Sequence, residues 1–137
     1  MIMNKLYLGI DPGRSKTGLA LVDGVGKIIK LHIADSKNID NEIVEFVKNS
    51  CPVRIVLGNG TNSRNICEVV QKVLPDVFIT VVEEAHSTEE ARTLYWQENP
   101  PKGLKKLIPL GLLVPPVPLD AYAAVILVRR FLEDNHE

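Results

Sequence analysis

The chain has 137 residues, 45% of them hydrophobic and 24% charged, and a formal net charge of −1. Its length fits one domain, residues 1–137, with a substantial core, and its composition is that of an ordinary globular protein. So neutral a balance does not advertise a polyanion partner, so a nucleic-acid role has to rest on local clusters of Lys and Arg. Cys51 and Cys67 make no CxxC pair and have no His at metal spacing, the usage of reduced thiols. No run is long and apolar enough to span a membrane, and Asp11 interrupts the N-terminal pattern too early for a signal peptide. A cytoplasmic location is expected.

Residues 5–11 (KLYLGID) form a short apolar run that ends in an acid and is broken by Pro12-Gly13, the pattern of a buried strand and a turn. Residues 17–23 (TGLALVD) predict a second strand, closed by Gly24 and Gly26, and residues 27–34 (KIIKLHIA) a third. The glycine-bearing connection suits a hairpin, so the three strands form an antiparallel meander. The period then changes. Ile39, Ile43, Val44 and Val47 recur at helical spacing, with Asp40, Glu42 and Glu45 towards the start and Lys48 near the end.

Residues 53–57 (VRIVL) predict a strand stopped by Gly58-Asn59-Gly60. Asn62 or Ser63 can cap the next helix, whose apolar face carries Ile66, Val69, Val70 and Val73. Residues 77–84 (VFITVVEE) read as a β-branched strand ending in two acids. Ser87 and Glu90 make a capping-box pattern for a third helix reaching about Glu98. Residues 99–117 carry five of the nine prolines, two glycines, three lysines and no acid. Leu104, Leu107, Ile108, Leu110, Leu112 and Leu113 make this stretch too apolar for a disordered linker. It reads as an ordered loop with one helical turn, docked on the body or on a partner; a homodimer would cover it. Pro118 suits the first position of a last helix running to about Glu133.

This order predicts an α/β fold, a five-stranded mixed sheet in the order 3-2-1-4-5 with helices on both faces. The first strand is then central, and residues 27–34 form an edge. Residues 53–57 and 77–82, apolar on both faces, should be interior or near-interior.

Such a sheet brings three acidic positions together: Asp11 ending strand one, Glu83-Glu84 ending strand five, and Asp120 in the first turn of the last helix. Sites in open α/β sheets gather outside the carboxyl ends of the strands. Clustered carboxylates repel one another and make sense when a hard cation lies between them. Each acid also has a plainer reading. Asp11 before Pro-Gly can be a turn former, Glu83-Glu84 can favour a helix N-terminus, and Asp120 is an ordinary helix-start acid.

The segment LGIDPGRSKTGLALVD (8–23) resembles the first motif of the RuvC and YqgF/RuvX families, ribonuclease-H-fold nucleases whose leading acid ends strand one. IVLGNGTNSR (55–64), and Glu84-Ala85 after Val81-Val82, are similar to the YqgF-like domain of Tex, a transcription accessory protein. EAHSTEEA (84–91) lies over the YqgF stretch that opens with Asp-Glu-Arg, and LDAYAAVILVRRFL (119–132) resembles the terminal helix that supplies a third acid. The resemblance implies Asp11, Glu84 and Asp120 as catalytic and metal-binding acids for Mg²⁺ or Mn²⁺, with Glu83 as second choice. Two departures stand out: Ala85 replaces an arginine, and the 99–117 loop has no counterpart.

Arg14 and Lys16 can contact phosphate or simply decorate an exposed hairpin. Asn59 and Arg64 flank a glycine-bearing loop that opens a helix, which suits backbone amides facing an anion. Lys102, Lys105 and Lys106 form a basic cluster before Asp120 and, with Asn59 and Arg64, are candidate nucleic-acid contacts, although a solvated loop explains the lysines as well. His86 can shuttle a proton or be structural, and Tyr95 and Trp96 read as core or interface. The resemblance implies a nuclease on precursor ribosomal RNA or on branched, Holliday-junction-type DNA. The alternative is a non-catalytic nucleic-acid-binding or transcription-accessory module of the Tex type. A nucleotide-dependent phosphotransferase would need a second such domain.

Overall fold

The computed structural model describes residues 5–135, and the outermost residues of the 1–137 span lie outside the described residues. Strands β1 (Leu6–Asp11), β2 (Lys16–Asp23) and β3 (Ile28–Asp35) come first. A short 3-10 turn leads into α1 (Ile39–Phe46), then β4 (Arg54–Gly58), α2 (Ser63–Val73), β5 (Ile79–Val82) and α3 (Ser87–Glu98). Two 3-10 turns, Gly103–Leu107 and Leu110–Leu112, precede α4 (Asp120–Asn135). The sheet order is β3-β2-β1-β4-β5, with β1 antiparallel to β2 and parallel to β4.

Alternation along the strands splits the core into two layers. Leu8, Ile10, Leu19, Leu21, Ile55 and Leu57 meet α1 and α2 through Ile43, Phe46, Ile66 and Val70. On the other face Ala20, Val22 and Val56 meet α3 and α4 through Leu94, Ala124, Leu127 and Val128. Each fully buried Leu, Ile or Val stabilises the fold by about 1.5–3 kcal/mol. Register then fixes the site: Ile10 lies beside Leu57, and Gly58 beside Val82, so β1, β4 and β5 end side by side.

Several local expectations are corrected. The strand predicted over 77–84 pairs only from Ile79 to Val82, and it is an edge strand with Phe78 and Val81 exposed. Its backbone leaves the ladder because the Glu84 N–H turns to the Asn59 side chain. The capping box is absent: His86, at φ 63°, precedes α3 with no side-chain cap, and Glu90 pairs with Arg130 instead. Asn62 makes no cap hydrogen bond, and its amide donates to the Gly13 carbonyl at 3.0 Å. Pro118 lies outside α4, whose first turn closes when the Ala123 N–H donates to the Leu119 carbonyl. The loop holds two 3-10 turns rather than one, and it docks through buried Leu113 against Tyr95 and Trp96. Among the described residues no helix is long and apolar enough to cross a membrane, and both cysteines are free thiols.

Candidate metal centre

Asp11 is the last residue of β1 and pairs with Gly18 of β2. The period of two puts Gly9 and Asp11 on one face, the face covered by α4. A Cβ added at Gly9 would stand 2.5 Å from the Ala124 carbonyl oxygen, and one at Gly18 would stand 2.0 Å from that of Asp120. Helix α4 therefore rests directly on strand backbone at both positions. Glycine inside a strand marks such a close approach. The first residue of α4 is Asp120, set down on the cross-strand partner of Asp11.

Glu84 arrives from the other side. The Gly60 N–H donates to Glu84 Oε2 at 2.7 Å, and the Glu84 N–H donates to Asn59 Oδ1 at 3.1 Å. The Asn59 N–H donates in turn to the Val82 carbonyl at 3.0 Å. A Cβ at Gly58 would fall 2.3 Å from Glu84 Oε2, so the carboxylate lies over bare backbone. The glycine loop does face an anion, and that anion is the chain's own Glu84. Arg130 of α4 donates to the carbonyls of Glu83 and Ala85 and pairs with Glu90, clamping the segment from behind.

Burial raises the Asp11 pKa from 3.8 to about 7, helped by the charges of Glu84 and Asp120 and by a hydrogen bond to Glu84. Asp120 is also raised, first by burial, with the nearby Lys16 charge pulling the other way. Asp11 thus feels both other acids. Among the described residues no three His, Cys, Asp or Glu side chains already stand close enough together to hold an ion. Like charges without a counter-charge relax apart, here with Asp11 hydrogen-bonded to Glu84 and Asp120 facing Lys16. The donor chemistry, oxygen from carboxylates with Glu84 hydrogen-bonded to a half-buried Asp11 and Asp120 near enough to raise its pKa, is of the type that suits a hard divalent cation.

Glu83 is exposed, and it is Glu84 that reaches Asp11. Arg14 and Lys16 line an open groove of about 890 Å³ with Lys37 and Pro118. Lys102 and Lys105 line a different groove, while Arg64 and Lys106 are exposed. His86 is exposed too, and it shapes the turn into α3. Asn59, expected to touch nucleic acid, spends its side-chain oxygen on Glu84.

Sequence reasoning missed the positioning residues Gly9, Gly18, Gly60 and Arg130. It also missed a buried latch in which Thr17 Oγ1 and Ser36 Oγ lie 2.7 Å apart, while the Ser36 hydroxyl donates to the Gly13 carbonyl at 2.8 Å. The available signal was glycine inside a strand pattern, at LGID and TGLA.

No family model and no curated protein sequence matches the chain. Among solved structures, Thermus thermophilus RuvC in complex with a Holliday junction substrate is similar over 96% of this chain and 97% of its own, with a TM-score of 0.61 at 12% identity. Another structure of Thermus thermophilus RuvC is similar over 94% of both chains, with a TM-score of 0.58 at 13% identity. A ROK family transcriptional regulator matches 66% of this chain over 30% of its own length, with a TM-score of 0.48 at 13% identity. With the strand order and the helices on both faces, the RuvC similarities establish the fold as ribonuclease-H-like and RuvC-like.

Proposed function

We propose that the protein is a divalent-metal-dependent nuclease that hydrolyses phosphodiester bonds in structured nucleic acid, either branched DNA or precursor ribosomal RNA. The observation that carries this reading is half-buried Asp11, hydrogen-bonded to Glu84 and within the field of Asp120, at the end of the sheet where β1, β4 and β5 finish side by side. The junction-bound RuvC similarity supports nucleic acid as the substrate class.

Asp11, Glu84 and Asp120 are the residues that would hold Mg²⁺ or Mn²⁺. A bound ion supplies charge neutralisation and Lewis-acid activation for phosphodiester hydrolysis. Asp11, whose pKa is raised to about 7, would hold such an ion as the carboxylate, so binding would be favoured towards neutral and alkaline pH. The Gly60 N–H and the Asn59 side chain keep Glu84 in place. Arg14 and Lys16 line one groove with Lys37, Asp35 and Glu42, and Lys16 is near enough to Asp120 to act on its charge, so these two cations would draw the phosphate backbone towards the acids.

The test is a gel assay on precursor ribosomal RNA ends, a four-way DNA junction and a plain duplex, with chelator, Mg²⁺ or Mn²⁺. Cleavage should need metal and disappear in Asp120→Asn, while salt-sensitive binding in chelator persists in that variant. If no substrate is cut with either metal and binding is unchanged in Asp120→Asn, the protein is a binding module of the Tex type.

A further inference from the structure

Seven of the thirteen exposed large apolar side chains among the described residues lie between 104 and 117. Leu104, Leu107, Leu112 and Val114 are 84%, 82%, 75% and 84% exposed, although Leu113 between them is buried and holds the segment to α3. Beside this ridge runs a groove of about 730 Å³, whose lining includes Tyr95, Trp96, Glu98, Lys102, Leu104 and Lys105. The Trp96 indole is 8% exposed, and its buried Nε1–H has no hydrogen-bond partner. A buried donor without an acceptor is unfavourable, so a partner whose docking shifts the groove wall enough to offer Trp96 a carbonyl would gain from it.

We propose that this surface docks an acidic segment of a protein partner, anchored by its own apolar side chains. The charge is mainly positive, since residues 99–117 contain Lys102, Lys105 and Lys106 and no acid, and Glu98 is the one acid in the groove lining. A second copy is the poorer occupant, because a two-fold interface would gather the lysines of both copies into one patch with only Glu98 of each to offset them. Nucleic acid fits poorly as well. The exposed residues are aliphatic, and Tyr95 and Trp96, the aromatic rings that could stack bases, are buried. Aliphatic anchors, flanking lysines and an unpaired N–H together suit an amphipathic peptide with acidic flanks.

Trp96 is the single tryptophan, so its indole ¹H–¹⁵N resonance and fluorescence report on this groove alone. The probe is a synthetic helical peptide with leucines at i, i+3, i+4 and i+7 and glutamates elsewhere. Its control carries lysine for every glutamate, and a four-way DNA junction and a dilution series of the protein complete the set. All runs contain chelator, so the outcome is independent of the nuclease reading.

The acidic peptide should shift the indole resonance saturably. The combined Lys105→Glu and Lys106→Glu variant should bind it about tenfold more weakly and gain affinity for the basic control. Leu107→Ser, at an exposed position, should weaken binding without changing the melting temperature. Equal shifts from both peptides, or from neither, would overturn the proposal. A shift produced by the junction alone would make this a nucleic-acid surface. A shift that follows protein concentration, with a dimer in sedimentation, would make the occupant a second copy.

Discussion

Replacing Asp11 with Asn should make the metal-free protein more stable at alkaline pH while removing the proposed metal function. The folded-state pKa of Asp11 is about 7 against an ordinary value of 3.8. Between those values the native protein holds a proton that the unfolded chain has released. Stability is therefore fully present below about pH 4 and is lost as pH rises through 7. At roughly 1.4 kcal/mol per pK unit, the loss approaches a ceiling of about 4 kcal/mol at pH 8, some 2–3 kcal/mol of it between pH 5 and pH 8. Asn keeps the volume and cannot ionise. Its amide can also donate to Glu84 where the protonated acid did. Urea melts in chelator, run on wild type and Asp11→Asn at both pH values, isolate this contribution from other titrating groups, Asp120 among them. The gap between the two proteins should widen by about 2–3 kcal/mol from pH 5 to pH 8, in favour of the variant. Excess Mg²⁺ should then stabilise wild type alone. A gap that stays constant with pH would refute the idea that Asp11 is held against its own ionisation.

Gly58→Ala should push the Glu84 carboxylate off its seat, lowering apparent Mn²⁺ affinity by calorimetry while the far-ultraviolet dichroism stays native. Gly18→Ala collides with backbone rather than with a side chain, so it should lower stability by about 2 kcal/mol or more in denaturant melts. Arg14→Gln and Lys16→Gln should each reduce the slope of log binding constant against log salt by about one, measured on a DNA junction in chelator. Arg130→Met removes the donor to the exposed carbonyls of Glu83 and Ala85, which water can then satisfy, so melts should show a loss of only about 0.5–1.5 kcal/mol.

The sheet was legible because apolar runs of period two, punctuated by Gly and Pro, were separated by helical periods. The strand order then followed from one parallel pairing. What failed did so for local reasons. The β-branched run from 77 continued in sequence beyond the ladder, because Asn59 takes the next backbone N–H out of the sheet. The Ser87–Glu90 pattern could not cap α3, because Arg130, forty residues away along the chain, had taken Glu90. The acids were visible as candidates, since each lay at or beside the boundary of an element: Asp11 at the end of β1, Glu84 just after β5 and Asp120 at the start of α4. What lines them up was not, because Gly9, Gly18, Gly58 and Gly60 act by having no side chain, and their effect depends on what arrives from elsewhere.

The seating of α4 on bare strand backbone also has a consequence in time. Asp11 is made early and Asp120 in the last described element, so the acid trio is a contact of long sequence separation. On the ribosome the meander and the α1–β4–α2 layer can pair while α4 is still to be synthesised. During that interval the face formed by Ala20, Val22 and Val56 lacks the cover of α4, and the acids are not yet a set. Docking of the last helix completes the second core layer and delivers the third carboxylate in one event. Any truncation within α4 would leave the apolar face of Ala20, Val22 and Val56 without its cover.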